Sequence, residues 1–174
     1  MSVSAENRAS GPLSGVRIVD LSRLDELLAI HGRCLVVGRV DGDKAHGVEA
    51  EWPARLLART GVDHVLVEAD GSRMRPVKAP AAHEPVIPPE TTLLVPVAGI
   101  DALSGSLDVV AHRPELIREI TNDDLRMTNE ENLLTKDDRL TPAGLARVLT
   151  HPSGGLKGAP AEARVVPFLN KVET

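Results

Sequence analysis

The stretch VLVEADG, residues 65–71, is the part of the chain that best indicates its fold class. An apolar run leads into two carboxylates, Glu68 and Asp70, and Gly71 follows them. We predict a buried strand over residues 62–67 that carries both acids at its carboxyl end. Ligands of open α/β sheets bind beyond the carboxyl ends of the strands. The stretch therefore predicts an α/β sheet with a ligand site at this edge.

Strand-like and helix-like segments alternate on both sides of this stretch. Apolar runs predict further strands at residues 16–21, 34–37, 93–97 and 164–169. Apolar stripes, or prolines in a first turn, predict helices at residues 22–31, 49–60, 114–120 and 142–149. Polar, Gly-containing or Pro-rich segments predict loops at residues 41–47, 70–89 and 153–158. This order indicates a mostly parallel α/β sheet flanked by helices. We expect a disordered segment at residues 1–14 and a single α/β domain at residues 15–174.

The composition narrows the class of protein further. Trp52 and Phe168 are the only aromatic residues, which argues against a stacking platform for single-stranded nucleic acid. The formal charge of −5 gives no basic field that would attract nucleic acid. No apolar run approaches the ~20 residues of a membrane helix, and residues 1–14 lack the apolar core of a secretory signal. We expect a cytoplasmic protein that binds neither nucleic acid nor membrane.

Glu68 and Asp70 are the candidate metal ligands. Because they are two positions apart, their side chains point the same way on a strand. Such a pair can hold Mg²⁺ through its waters, and Gly71 would let the backbone approach a phosphate closely. In the alternative interpretation, the two acids end a strand and one of them begins a turn.

The loop at residues 70–89 carries the candidate anion-binding residues Arg73, Arg75 and Lys78, together with His83. Guanidinium and ammonium groups beside a metal site suit a phosphate or another anion. Several prolines restrict the loop backbone, which lowers the entropy cost of holding one shape. We therefore expect the loop to form a recognition surface for an anionic cofactor or a partner protein.

Two further basic residues, His112 and Arg113, precede a predicted helix and face the same anion site if the sheet is built as expected. The alternative is that they cap that helix. The loop cations likewise have an alternative role, in which they pair with Glu68, Asp70 and Glu84. In that case, the loop is a surface connector whose charges neutralise one another.

The last predicted strand runs into Asn170, Lys171, Val172 and Glu173. Many GTPases place Asn-Lys-x-acid after a strand to recognise guanine. The amide addresses the base edge, the lysine stem covers the ring, and the acid accepts from the ring N–H. Here Glu173 stands in place of the usual Asp. The alternative is a polar terminus that frays in solution.

The sequence contains no G-x-x-x-x-G-K-[ST] loop. That loop supplies the backbone N–H groups and the lysine that hold β- and γ-phosphates. The segment SGGLKG at residues 153–158 lacks the required spacing and is interpreted as a flexible turn. We expect this chain alone to bind nucleotide weakly and to hydrolyse it negligibly.

Four segments, at residues 65–103, 111–115, 141–160 and 163–173, resemble the YqeC family. Its members are described as accessory proteins of selenium-dependent molybdenum hydroxylases. The resemblance implies a fold like that of P-loop nucleotide hydrolases, close to metallochaperone GTPases. It also implies that residues 68–71 sense metal and phosphate, and that residues 170–173 recognise the base. The family's N-terminal G-K-[ST] loop is missing, so the implied fold is incomplete.

Two classes of function follow from these residues. The first is an accessory nucleoside triphosphatase, with Mg²⁺ and GTP or ATP, in the maturation of selenium-dependent molybdenum hydroxylases. The second is a non-catalytic module that binds a molybdenum hydroxylase, one of its maturation factors or a molybdopterin-type cofactor. The missing phosphate loop favours the second for this chain taken alone. A third, general interpretation is an α/β protein that binds another small molecule.

Overall fold

A computed structural model describes residues 17–18, 23–42, 44–123 and 132–172 of the chain. The chain divides into two compact units, Met1–Val65 and Leu66–Thr174. The segment at residues 1–14, expected to be disordered, lies outside the described residues. The single domain expected at residues 15–174 stays a prediction. No helix in the described ranges has the length and apolar character needed to cross a membrane.

The first unit combines short strands with two helices. Strand β1 (Arg17–Ile18) pairs in parallel with β2 (Leu35–Val36), and helix α1 (Leu24–His31) connects them. Strands β3 (Arg39–Asp41) and β4 (Lys44–His46) form an antiparallel hairpin, and helix α2 (Trp52–Leu57) follows. The buried side chains Leu24 and Leu56 form the centre of this unit.

Two predictions for the first unit, the end of α1 and the loop at residues 41–47, can be compared with the structure. Helix α1 ends as predicted at Gly32, whose φ of 66° places it in the left-handed region and whose N–H donates to the Leu28 carbonyl. The prediction of a loop at residues 41–47 is wrong, because the chain forms the β3–β4 hairpin there. Gly42, at φ 56°, supplies the left-handed backbone that a tight hairpin turn requires.

Parallel strand pairs form the framework of the second unit. Strand β5 (Val77–Lys78) pairs with β8 (Ala111–His112), β6 (Leu93–Leu94) with β9 (Arg164–Val165), and β7 (Val97–Gly99) with β10 (Phe168–Asn170). The N–H groups of Val166 and Phe168 donate to the Leu94 and Pro96 carbonyls, which continues the pairing from β6–β9 into β7–β10. The Gly99 N–H donates to the Pro76 carbonyl at 2.8 Å and connects β7 to the start of β5.

Helices follow these strands and cover the core of the second unit. They are a 3-10 helix (Ile100–Leu103), α3 (Leu107–Val110), α4 (Pro114–Asp123) and α5 (Pro142–Thr150). As predicted, α4 and α5 begin at prolines, which tolerate the first turn because its N–H groups lack helical acceptors. Fully buried side chains in this core include Val77, Leu107, Ile117 and Val148. The described fold is therefore mixed α/β with short parallel strand pairs and helices.

The positions of prolines and the solvent exposure of apolar side chains explain why three segments differ from the predicted strands. The strands expected at residues 93–97 and 164–169 are each divided in two, at Pro96 and Pro167 respectively, because proline cannot donate to a ladder. The strand expected at residues 62–67 is absent. Leu66 is 96% exposed and Val67 is 44% exposed, so this apolar run lacks the burial that the strand prediction required.

Candidate functional site

Lys78, the last residue of β5, is the centre of an ionic cluster in the second unit. Its side chain is only 6% exposed, and its Nζ lies 2.9 Å from Asp70 Oδ2 and 2.6 Å from Glu84 Oε2. It also donates to the Gly71 carbonyl at 2.9 Å. A buried ammonium group is stable only when its N–H groups find acceptors. The two carboxylates and the carbonyl meet that need.

Arg113, which directly follows β8, contacts the same Glu84 carboxylate with two nitrogens. Its Nη1 lies 2.7 Å from Glu84 Oε2, and its Nη2 lies 3.3 Å from Oε1. A left-handed backbone at Arg113, with φ 63°, turns the chain between β8 and α4. We call Asp70, Lys78, Glu84 and Arg113 the Lys78 cluster.

The Glu84 carboxylate is ionised over the whole neutral and mildly acidic range. Partial burial on its own raises the pKa of this carboxyl, but the hydrogen bonds from Arg113 and Lys78 outweigh that effect. They lower the Glu84 pKa from 4.5 to about 2. The neighbouring His83 is 78% exposed, and its Nε2 lies 3.7 Å from Glu84 Oε1, at the outer side of the cluster.

His112 lies beside Lys78, its partner in the parallel register of β5 and β8. Burial lowers the pKa of this imidazole below its ordinary 6.5, and the charges of Arg113, Arg73 and Lys78 lower it further. The ring is therefore neutral at pH 7. Its buried Nδ1 has no hydrogen-bond partner within the described ranges, so one polar atom beside the cations lacks a partner.

The two arginines of the loop behave differently. Residues 72–75 form a tight turn in which the Arg75 N–H donates to the Ser72 carbonyl at 3.1 Å. Arg73 and Met74 both have left-handed backbones there, at φ 52° and 63°, which is unusual for residues other than glycine. Arg73 is exposed, and it has no ion-pair partner among the residues that the structure describes. The Arg75 guanidinium instead donates to the Val109 carbonyl, outside the Lys78 cluster.

The predicted metal ligands are not arranged as the sequence suggested. Glu68 and Asp70 lie in a segment without strand structure, so neither is a strand-end acid. Asp70 is paired with Lys78, whereas Glu68 is exposed. Within the described ranges, no group of three or more His, Cys, Asp or Glu side chains is placed to hold a metal ion. Mg²⁺ at Asp70 would compete with the Lys78 ammonium group.

Lys171 forms a second ion pair, with Asp101, where β10 and β7 end, and Asn170 precedes it in the chain. Lys171 Nζ lies 2.7 Å from Asp101 Oδ2, and the Lys171 N–H donates to Asn170 Oδ1 at 2.8 Å. Asp101 Oδ1 is buried without a hydrogen-bond partner in the described structure. Gly99 makes this arrangement feasible, because a Cβ there would lie 2.1 Å from that oxygen. Glu173, the acid of the predicted base motif, lies outside the described residues.

Lys157 and its Gly-rich segment support residues 70–89, which were predicted to be a loop throughout but contain strand β5 and the buried Val77 and Ala79. Gly154 and Gly155 lie close to the carbonyls of Val148 and Leu149 at the end of α5, where a Cβ would not fit. The Lys157 ammonium group donates to the Ala81 carbonyl within the loop. The predicted turn at residues 153–158 is confirmed, and it anchors the loop from outside.

The alternative interpretation, in which the loop cations pair with Asp70 and Glu84, is confirmed for Lys78. Sequence reasoning did not identify Asp101 as a member of a site. For Asp101 a signal was present: it follows the β7 strand by two residues, as an acid after an apolar run. The sequence pattern that singled out Asp70 applies equally to Asp101.

The described structure is a mixed α/β protein that carries a partly buried cluster of paired charges. The model of the YqeC protein family matches residues 17–115, more than half of the chain and all of the Lys78 cluster. A protein of Escherichia coli (strain K12), named uncharacterized protein YqeC, is 33% identical over 139 residues, which cover 79% of this chain and 50% of that protein. The chain thus spans about half the length of this relative. No solved structure matches the chain. The chain belongs to the YqeC family.

Proposed function

We propose that this protein is an anion-binding accessory module that acts in the maturation of selenium-dependent molybdenum hydroxylases. The observation that carries the proposal is the position of Lys78 and Arg113 beside the neutral His112, with the charge of Arg73 acting on the same ring. The ligand is a phosphate-bearing small molecule, either a nucleotide or a molybdopterin-type cofactor. The partner is a molybdenum hydroxylase or one of its maturation factors.

The charge balance of this region supports an anionic ligand. Asp70 and Glu84 offset Lys78 and Arg113, whereas Arg73 has no ion-pair partner in the described part of the chain. An exposed guanidinium next to paired cations attracts an anion and can hold two of its oxygens at once. The left-handed turn at residues 72–75 keeps Arg73 projecting from the loop, and sparsely populated backbone conformations of this kind concentrate at functional sites.

The role in hydroxylase maturation rests on family membership and on the resemblance described for residues 65–103. Short parallel strand pairs with helices also agree with an incomplete relative of the P-loop fold. If the ligand arrives with Mg²⁺, the exposed Glu68 carboxylate is the group free to hold the ion through water, since Asp70 is paired with Lys78. The chemistry supplied by the chain itself is binding and orientation of the anion.

A calorimetric titration with Mg·GTP, Mg·ATP and molybdopterin nucleotide tests this function. We expect one of the three to bind the wild-type protein. Arg73→Ala should weaken that ligand at least tenfold, about 1.4 kcal/mol. Arg75→Ala is the matched control from the same loop, and it should change the affinity by less than about threefold, because Arg75 is held by the Val109 carbonyl. The proposal fails if none of the ligands binds, or if the two variants behave alike.

A second candidate function is base recognition by Asn170 and Lys171. It is favoured by their place at the end of β10 and by the ion pair that holds Lys171 on Asp101. Asn170→Ala should weaken binding of GTP while leaving binding of pyrophosphate unchanged, because pyrophosphate has no base. Equal losses for the two ligands would reject base recognition.

A further inference from the structure

We propose that the Glu84 carboxylate occupies the place of a bound anion. A phosphate-bearing ligand then binds by displacing this carboxylate from Lys78 and Arg113. The proposal rests on the anion-binding function proposed above and adds how occupancy of the site is controlled. We call the space taken by the Glu84 carboxylate the oxyanion position.

The contacts of Glu84 are those that a bound phosphate would make. Glu84 Oε2 lies 2.6 Å from Lys78 Nζ and 2.7 Å from Arg113 Nη1, and Oε1 receives a second hydrogen bond from Arg113 at 3.3 Å. A guanidinium that contacts two oxygens, with an ammonium group on one of them, is a common arrangement for carboxylate and phosphate alike. Glu84 therefore shows the geometry of the oxyanion position.

Displacement of Glu84 requires only a side-chain rotation. The Glu84 N–H donates to the Ala81 carbonyl at 3.0 Å, and Ala81 is itself held by Lys157. On the other side, the Val86 N–H donates to the Ala69 carbonyl at 3.3 Å. The backbone around Glu84 is thus fixed at both ends, while its side chain is 21% exposed and has a path to solvent. Lys78, at 6% exposed, stays in place.

The charges favour phosphate over another carboxylate. With Glu84 rotated away, Asp70 remains as the carboxylate paired with Lys78, and the charges of Arg73, Lys78 and Arg113 all act on His112, which leaves a net charge of about +2 beside this neutral ring. A phosphate dianion neutralises this charge, whereas a carboxylate neutralises half of it. A phosphoryl group also brings a third oxygen, which Arg73 or the unpartnered His112 Nδ1 can contact.

Titration of inorganic pyrophosphate into Glu84→Gln tests the proposal. Glutamine keeps the size of the side chain but removes its charge, so it competes less strongly for the two cations. We expect pyrophosphate to bind Glu84→Gln at least tenfold more tightly than the wild-type protein. Glu90→Gln is the matched control, because Glu90 is an exposed neighbour with no ion pair in the described structure. The affinity of Glu90→Gln for pyrophosphate should match that of the wild type within about twofold.

Further variants and ligands separate the outcomes. Glu84→Ala should show the same gain in affinity for pyrophosphate, which excludes effects peculiar to glutamine. Succinate, a dicarboxylate, should bind Glu84→Gln at least tenfold more weakly than pyrophosphate does. GTP and molybdopterin nucleotide are titrated into the same two proteins. The ligand whose affinity rises by the same factor in Glu84→Gln is the source of the phosphate. If pyrophosphate binds the wild type but not more tightly to Glu84→Gln, displacement is wrong and anion binding stands. If it binds neither protein, both proposals fail.

Discussion

Lys78 and Glu84 form a partly buried ion pair. An ammonium group with 6% exposure loses most of its hydration, and the Asp70 and Glu84 carboxylates replace it. Removing one member of a buried ion pair is costly, because the other charge is left without a partner. The position of this cluster at the ends of β5 and β8 agrees with the proposed role in ligand binding.

The acid dependence of stability should reveal the Glu84 contribution. Its folded-state pKa of about 2 lies below the ordinary 4.5, so the carboxylate stabilises the fold fully above about pH 4.5 and loses this effect as the pH falls towards 2. We expect Glu84→Gln to lower the free energy of unfolding at neutral pH by on the order of 2 kcal/mol. Urea unfolding should show the gap between wild type and variant narrowing in acid. A gap that is constant with pH would contradict the assigned pKa.

Gly99 allows a second prediction at the residue scale. A Cβ at this position would clash with Asp101 Oδ1, so Gly99→Ala must turn the Asp101 carboxylate away and disturb its pair with Lys171. Because the Asp101 side chain is 39% exposed and can rotate, we expect a loss of up to about 1 kcal/mol in the free energy of unfolding. Gly71→Ala is the control, because the nearest atom to its Cβ would be 3.9 Å away. Equal stabilities of the two variants would show that Asp101 moves without cost.

The sequence predicted some of these residues and missed others for a physical reason. Asp70, Lys78 and Arg113 stood out because acids and bases after apolar runs are local features. Arg113 and Glu84 are 29 positions apart in the chain, and Lys171 and Asp101 are 70 positions apart. A local sequence pattern cannot predict pairs at such separations. Their partners depend on which strands become neighbours, and the sequence alone does not state that.

At the scale of elements, α5 shows how local signals and packing combine. Thr141 begins the helix, its hydroxyl accepts from the Gly144 N–H at 3.0 Å, and Pro142 occupies the first turn. The proline in the first turn was sufficient to predict this helix from sequence. The run at residues 62–67 was apolar but formed no strand, because apolarity alone provides neither a partner strand nor a cover. Strand predictions therefore depended on context that helix predictions did not need.

Removal of the α5 cap should have a modest and specific cost. Thr141→Ala leaves a first-turn N–H without its acceptor, and we expect a loss of about 1 kcal/mol in the free energy of unfolding. Thr150→Ala is a suitable control, since its exposed hydroxyl only bonds the Ala146 carbonyl within the same helix. Urea denaturation of both variants measures the difference. Equal losses would show that the cap does not stabilise the helix.

At the scale of the whole molecule, the chain is a YqeC family member that spans about half of the relative it matches. Its two compact units differ in what they offer a ligand. The first is organised around Leu24 and Leu56, whereas the second carries the Lys78 cluster and the pair at Asp101. The proposed anion-binding function therefore belongs to the second unit.

Catalytic turnover by this chain should be negligible. The 174 residues contain no G-x-x-x-x-G-K-[ST] loop. In P-loop enzymes, that loop supplies the backbone donors and the lysine that bind the β- and γ-phosphates. We expect steady-state release of phosphate from Mg·GTP or Mg·ATP well below about 1 s⁻¹, an ordinary enzymatic rate. Faster release would mean that another segment performs the role of that loop.

Thermal unfolding with and without pyrophosphate tests the central claim, that the cations around His112 bind an anion. A ligand at about a hundred times its Kd stabilises the folded state by about 2.7 kcal/mol, which appears as a rise in Tm. The account predicts equal rises for the wild type and for Arg139→Ala, which removes an exposed arginine outside the Lys78 cluster. It predicts a clearly smaller rise for Arg73→Ala, with its Tm unchanged when pyrophosphate is absent. Equal rises in all three proteins, or no rise in any of them, would contradict it.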